Sequence, residues 1–399
     1  MISLEEKFYK LGVKNAPGQE EKSNINIDNK NLLVDFSHGD VDAFKPIPKS
    51  LEKFIEGFHM GEKQAYTEYK GKEAIRSYIS QKISCFTNTQ INADKNIIVS
   101  PGTQGALFLA MGSTISRGDK VAIVEPDYFA NRKIAEFFEA NIIPIDLEYY
   151  STTTNAGVNL NQLEQAFKNG VKLFLFSNPN NPTGIIYSSV EIKAIAKLAQ
   201  KYNVTIIVDQ LYSRQVFDER EYTHLCAQQE IDPENIISIM GPSKTESLSG
   251  YRLGIAFGSS KIINRMEKLQ AIVSLRASGY NQAVLNLWFS EPEGWLEERI
   301  IEHQLIRDDL VSKFKEYDDL FNIRSTEAGS YLFPQITMLN TTIHDFVDKL
   351  RIQENIIVTP GTEFGKQFKN SFRLNFSQDH QSAVNAIERL IELAKEHSK

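Results

Sequence analysis

The sequence predicts an α/β fold in which a mainly parallel sheet packs between helices. Between residues 96 and 258, short apolar runs alternate with longer segments that read as helices, the order expected of strands joined by crossover helices. The runs 96–100 (NIIVS), 121–125 (VAIVE), 171–177 (VKLFLFS), 204–208 (VTIIV) and 236–240 (IISIM) read as buried strands. Each is followed at once by Gly, Pro, Asn or Asp, and open sheets of this kind bind their ligands beyond the carboxyl ends of strands.

Composition narrows the function classes. A chain of 399 residues, 41% hydrophobic, can bury cores for two or three domains of usual size. Its 44 basic and 51 acidic side chains leave a formal charge of -7, which disfavours a nucleic-acid partner, since polyanion binders are usually basic. Cys85 and Cys226 lie far apart; they make neither a disulfide framework nor a metal-ligand spacing, and no metal is expected. The first residues (MISLEEKFYK) carry acids and no apolar signal core, and no apolar run approaches the length of a membrane span. The expectation is a soluble, cytoplasmic protein without membrane contact.

In chain order, residues 1–31 are polar and carry no visible chemistry. The run 31–40 (NLLVDFSHGD) opens apolar and ends in Ser37-His38-Gly39-Asp40, and Tyr66 precedes a helix expected over 72–82. After the strand at 96–100, Gly102, Thr103 and Gln104 turn the chain into an apolar helix expected over 106–115. A glycine turn at a helix start is an anion site in the making, because free backbone N–H groups and the helix dipole point outward, and Thr103 adds a hydroxyl. The same turn is also common without a ligand. The strand 121–125 ends in Pro126-Asp127-Tyr128, before a helix near 131–140; an aromatic there either offers its π face to a ligand or packs in the core. A strand at 141–147, a surface loop over 149–158 and a helix over 159–169 follow.

The turn 178–184 (NPNNPTG) closes the strand 171–177, and its prolines and asparagines force an irregular path that can aim an amide into a crevice. A helix over 189–202 leads to the strand 204–208 and Asp209 at its end, with Tyr212 three residues on. Beyond the strand 236–240, Ser243 and Lys244 lie in a segment rich in Ser and Gly, and Arg252 comes eight residues after the lysine. A lysine at the mouth of a sheet with an arginine in reach suits one chemistry: the amine forms an imine with an aldehyde cofactor, and the guanidinium takes its phosphate. A helix over 260–275 then reaches a crossing near 274–282, where Arg276 reads as a surface residue. The helix over 295–317 is amphipathic, with Leu296, Ile300, Leu305, Leu310 and Phe314 on or near its apolar face. Strands near 331–333 and 356–358, the turn 360–365 (PGTEFG) and an alternating strand 372–376 complete the chain; Arg373 in the last can grip a carboxylate as a planar fork.

These elements, in this order, resemble the class I/II aminotransferases, pyridoxal-phosphate enzymes of fold type I, over nearly the whole chain from about residue 31. The resemblance rests on Ser243-Lys244 followed after five residues by Gly250-Tyr251-Arg252-Leu253-Gly254, on Asn181 before Pro182-Thr183-Gly184, and on Asp209-x-x-Tyr212. Tyr66, Gly71 and Arg76 at five-residue intervals and Pro360-Gly361-x-x-Phe364-Gly365 extend it. It implies a large domain with a seven-stranded sheet over 46–275, a smaller α/β domain over 276–399 and an arm over 1–45 packed with the small domain. It further implies that Lys244 holds pyridoxal 5'-phosphate as a Schiff base and moves the substrate Cα proton, while Asp209 keeps the pyridine nitrogen protonated. Asn181 and Tyr212 would bond the 3-oxygen, and Tyr128 would lie flat on the ring. Gly102, Thr103, Gln104, Ser243 and Arg252 would hold the phosphate. Arg373, with Asn181, would take the α-carboxylate, Ser37 and His38 would neighbour the substrate, and Tyr66 would reach across a homodimer interface to the other copy's phosphate. The implied reaction moves an amino group between an L-amino acid and a 2-keto acid.

Four positions depart from the family pattern. Gly241 stands where a serine is common, Gln210 where Glu is frequent and Glu246 where an aromatic is usual, and His38-Gly39-Asp40 does not match Gly-x-Pro-Asp. Glu246 and that loop keep a second outcome open, elimination or cyclisation of a modified amino acid on the same cofactor. A cofactor-binding regulatory module, resembling the effector half of MocR-type transcription factors, ranks last, because only about 30 residues precede Asn31.

Overall fold

The structure, a computed structural model, describes residues 3–11, 31–38, 44–61, 65–150 and 157–398. A helix, Leu4–Leu11, and a short strand, β1 (Val34–Asp35), come first. Strands β2 (Ile97–Pro101), β3 (Lys120–Glu125), β4 (Asn141–Asp146), β5 (Val171–Ser177), β6 (Thr205–Asp209), β7 (Ile236–Met240) and β8 (Leu253–Gly258) then form one sheet. Its spatial order is β2-β8-β7-β6-β5-β3-β4, parallel throughout except at β8, which runs against both neighbours. The predicted mainly parallel α/β sheet is what forms.

The apolar runs are continuous because both faces of the sheet are covered. In β5, Phe174 and Phe176 pack with Leu163, Ile192 and Ile195 from the helices Leu160–Lys168 and Ser189–Tyr202. Leu173 and Leu175 point the other way, toward Ala106, Ile134 and Ile262 from the helices Gly102–Gly112, Phe129–Phe137 and Ser260–Val273. The helix Ser189–Tyr202 has the predicted bounds for a local reason: Ser188 and Glu191 make a reciprocal capping box, and Asn203 turns left-handed at the end.

The C-terminal part is built on the helices Trp295–Lys315, Ile343–Glu354 and His380–Glu396. Short strands β9 (Phe321–Asn322), β10 (Tyr331–Leu332), β11 (Gln335–Ile336), β12 (Ile356–Ile357), β13 (Thr359–Pro360) and β14 (Phe372–Asn375) join them. Strand β1 pairs in parallel with β12, so Val34 and Phe36 enter a core shared with Phe314, Phe346 and Leu390. The helix Leu4–Leu11 goes elsewhere. Lys7 meets Glu139 at 3.4 Å and the Phe8 ring packs edge-on against Phe137, so this part of the arm sits on the sheet side and not, as expected, with the C-terminal part.

Several local expectations shift. The helix expected from 106 starts at Gly102, and the one expected over 72–82 runs over Glu73–Thr87. Tyr149, assigned to a surface loop, is buried, while 151–156 lie outside the described residues. Leu310 and Phe314 are buried as expected, but Leu305 is 55% exposed, and the buried side of Trp295–Lys315 also carries Arg299, His303 and Arg307. Strand β14 is buried at every residue rather than alternating, because Arg373 is itself enclosed.

Arg299 straps three segments together. Its guanidinium donates to the Thr245 carbonyl at 2.5 Å, to Ser247 Oγ at 2.8 Å and to the Lys45 carbonyl at 2.5 Å. Beside it, Arg214 bonds both Glu246 and Glu291 and lies over the Phe289 ring. Arg214→Met should leave two carboxylates in a low-dielectric site with one fewer counter-charge, which costs about 3–5 kcal/mol for a buried pair. Urea unfolding of the variant measures it, and a change under about 1 kcal/mol would show the network to be solvated.

Candidate active site

The strand register brings the predicted residues to one edge of the sheet. Ser177 at the end of β5 pairs with Asp209 at the end of β6, Asp209 with Ile239 in β7, and Met240 with Ile255 in β8. Pro101 at the end of β2 pairs with Leu253, the residue after Arg252. The segments holding Gly102, Thr103 and Gln104, Tyr128, Asn181, Asp209 and Tyr212, and Ser243 and Lys244 all leave the sheet there, and Arg252 enters it there.

The arginine and the first turn of the helix Gly102–Gly112 are in contact. Gly102 has φ +77°, and a side chain there would meet Arg252 Nη2 at 2.6 Å. A side chain at Gly254 would strike the backbone of Gly102 and Thr103 at 2.3 Å. Glycine at both positions therefore lets the guanidinium and the free N–H groups of the helix start share one place. Among the described residues no carboxylate pairs with Arg252; it donates to the Ser249 carbonyl at 3.1 Å. Ser243 is buried and Lys244 half-buried in the next loop. A phosphate fits this donor set.

Tyr128 sits at the other side of the edge, its hydroxyl donating to Gln104 Oε1 at 3.1 Å. Burial pushes its phenol up to about 12, with Tyr331 raising it further, Arg373 lowering it, Asp209 raising it and Arg252 lowering it. One phenol thus lies within reach of charged or polar groups from four other segments. Burial likewise lifts the Asp209 carboxyl to about 6, against one N–H from Leu211 at 3.1 Å. Tyr212 is buried and donates to the Tyr331 hydroxyl at 3.1 Å.

Arg373 is the best-enclosed cation of the group. Nη1 donates to Asn181 Oδ1 at 3.1 Å and Nη2 to the Ser37 carbonyl at 2.7 Å, and its plane lies 4.4 Å from the Tyr331 ring centre and 4.9 Å from that of Phe364. Among the described residues no carboxylate pairs with it, although it is buried. A buried guanidinium without an anion is a poor resting arrangement and a good receptor for one.

Other predicted residues stand apart. His38 faces Asp35 at 3.5 Å, and its carbonyl accepts from Asn375; Gly39 and Asp40 lie outside the described residues. Tyr66 is exposed and stacks on Arg276, which also lies over Tyr69 and donates to the Thr67 carbonyl at 2.7 Å. Arg276 is therefore half-buried between rings and not the plain surface arginine expected. Glu246 is buried in the Arg214 network, where burial lifts its carboxyl to about 7. Sequence reasoning passed over Tyr331, Asp127 and Ser177. The signal for the last two was available: a carboxyl and a hydroxyl at the ends of otherwise apolar strands.

Comparison with known proteins agrees with this geometry. The family model described as aminotransferase class I and II matches residues 32–390. A solved structure of an aspartate aminotransferase from Rhodobacter sphaeroides is 52% identical, covers 100% of both chains and superposes with a TM-score of 0.93. A probable aspartate aminotransferase of Methanocaldococcus jannaschii is 28% identical over 83% of this chain and 86% of its own. An asparagine–oxo-acid transaminase of Streptococcus mutans is 25% identical over 86% and 87%.

The Asp209 shift has a consequence for the cofactor-free protein. A carboxyl that titrates near 6 folded and near 3.8 unfolded binds more protons in the folded state between those values, so its contribution to stability falls as pH rises through that window. Asp209→Asn removes the contribution. Its stability relative to the wild type, both without cofactor, should increase from about pH 4 to about pH 7; a difference independent of pH would contradict the burial.

Proposed function

The chain belongs to the class I and II aminotransferases, pyridoxal-5'-phosphate enzymes that pass an amino group between an amino acid and a 2-keto acid, and on that premise we propose how its residues divide the work and which substrate it takes. The carrying observation is Arg373, a buried guanidinium bonded to Asn181 and without a carboxylate among the described residues. It is suited to the α-carboxylate of the amino acid. The cofactor, when bound, supplies an electron-withdrawing ring that accepts the charge left at the substrate Cα.

Lys244 is its covalent anchor and, once the amino acid has taken that place, the base that carries the Cα proton. Arg252, Ser243, Thr103 and the backbone at Gly102 hold the phosphate, with Gln104 fixing the Tyr128 hydroxyl. Asp209 would meet the ring nitrogen, Asn181 and Tyr212 the ring oxygen, and Tyr128 the ring face. Ser37 reaches the substrate through its carbonyl, which accepts from Arg373, with His38 next to it. Glu246, one of the two features that favoured elimination or cyclisation, is turned into a buried ion network, which withdraws that part of the support.

We assign aspartate as the first amino acid to test, because the protein that is 52% identical carries that activity in its name. A homodimer in which Tyr66 serves the other copy is supported by the exposed apolar side chains near it, Leu51, Ile55, Phe58 and Met60. Two free cysteines support a reducing compartment, the cytoplasm. Among the described residues no helix is long and apolar enough to cross a membrane. A division into 1–45, 46–275 and 276–399 is supported by a core drawn mainly from residues 306–394, which Val34, Phe36 and Phe217 also enter.

The test is spectroscopic. The absorbance of the reconstituted protein should change with L-aspartate and return with 2-oxoglutarate, with oxaloacetate formed and Lys244→Ala inert. Arg373→Ala should raise KM for the amino acid by roughly 10- to 100-fold, as loss of a charged hydrogen-bond pair does. Ammonia release without need of a keto acid would replace this reading with elimination.

A further inference from the structure

We propose that Asp127 is a positioning residue of the reaction: through Ser177 and the Tyr128 amide it fixes both the Tyr128 ring and Asn181. The proposal rests on the assignment above that those two residues meet the cofactor.

Strands β3 and β5 are parallel neighbours, yet the chain leaves β3 for β4 before returning to β5 on the other side. Their carboxyl ends flank the point where the winding reverses, the place where such sheets open a crevice. Asp127 comes two residues after β3, and Ser177 closes β5. The carboxyl is buried and bridges the two ends. Its Oδ1 accepts from Ser177 Oγ at 2.5 Å, from the Tyr128 N–H at 2.6 Å and from Asn131 Nδ2 at 3.2 Å. Its Oδ2 accepts from the Ser177 N–H at 2.8 Å.

Ser177 passes the constraint on. With its proton given to Asp127, Ser177 Oγ accepts from the Asn181 N–H at 3.1 Å and from Asn180 Nδ2 at 3.4 Å. Asn180 also ties back to the Pro126 carbonyl at 3.0 Å, and its Oδ1 accepts from the Thr183 hydroxyl at 2.6 Å. Asn181 Oδ1 in turn accepts from Arg373. An unbroken chain of hydrogen bonds therefore runs from Arg373 through Asn181 and Ser177 to Asp127 and the Tyr128 backbone.

A carboxylate is the group that suits this place. Four donors aim at its two oxygens, and only an acceptor-only side chain meets them all. An amide would turn two N–H bonds toward donors on one side. A glycine or serine there would still make the turn, but would leave Ser177 free to rotate and the Asn181 amide without a fixed acceptor. Asp127 makes no ion pair among the described residues, and burial lifts its carboxyl to about 7, with the nearby Asp209 charge adding to the rise. Its burial thus opposes its charge, and the four donors offset that cost.

The experiment compares Asp127→Asn, Ser177→Ala and the double variant with the wild type. It measures three things: the melting temperature of cofactor-free protein, the dissociation constant of pyridoxal phosphate by fluorescence titration, and kcat and KM with L-aspartate. Each single variant should lower the cofactor-free melting temperature, because buried donors lose their acceptor. At a temperature where the cofactor-free variant is still fully folded, the cofactor dissociation constant should rise and kcat fall, together about tenfold or more. The double variant should be no worse than the worse single, since both break one chain. Single effects that multiply, or unchanged cofactor affinity and kcat, overturn the proposal, as does a loss that disappears at temperatures where the cofactor-free variant is fully folded. If Asp127→Asn does not fold, Ser177→Ala decides by the same readouts. Tyr128→Ala and Asn181→Ala run alongside: cofactor binding untouched by either one overturns the underlying assignment instead.

Discussion

The parallel hydrogen-bond register from β3 to β7 is the constraint on which everything else depends. Because β3, β5, β6 and β7 all point one way, their last residues come out side by side, and Ser177, Asp209 and Met240 lie in adjacent rows. Helices cover both faces, which leaves polar side chains to the ends of the strands. The single reversed strand, β8, completes the set by entering where its neighbours leave, which delivers Arg252 to the side of the sheet that already holds Lys244. Residues from sequence positions 102 to 252 thereby share one site without any of them needing a long loop.

Much of this was legible in the sequence, for reasons that differ by element. The strands showed because burial on two faces demands near-continuous apolar side chains, and the helix Ser189–Tyr202 showed because its cap is written in Ser188 and Glu191. The candidate site showed because its polar residues interrupt apolar runs at their ends. What stayed hidden were contacts between distant segments. Nothing local marks Arg373 as bonded to Asn181, or Tyr331 as the partner of Tyr212. Glu246 read as a departure near the site because its partners, Arg214 and Glu291, come from elsewhere in the chain. The polar stripe of Trp295–Lys315 misled for a similar reason: Arg299, His303 and Arg307 are buried by tertiary bonds that no helical period announces.

The electrostatics of the edge are unbalanced in a directed way. Arg252 and Arg373 carry positive charge without a paired carboxylate among the described residues, while Asp209 and Asp127 are carboxyls pushed toward neutrality by burial. Each of these is unfavourable in the protein alone. On the proposed assignment three of them would each be relieved by a different part of a bound molecule, Arg252 by a phosphate, Arg373 by an α-carboxylate and Asp209 by a protonated ring nitrogen, whereas Asp127 is met by donors of its own chain. Stability lost at the edge is in this sense the preorganisation that binding uses.

The Arg299 strap bears on how the molecule can move. The start of the helix Trp295–Lys315 is riveted to the carbonyls of Lys45 and Thr245, one on the way in from β1 and the other next to the anchoring lysine. Arg373 belongs to the same C-terminal part, in β14, and bonds Asn181 on the sheet side. Displacing that part against the sheet would therefore strain two ties at once, the three Arg299 bonds and the Arg373–Asn181 bond.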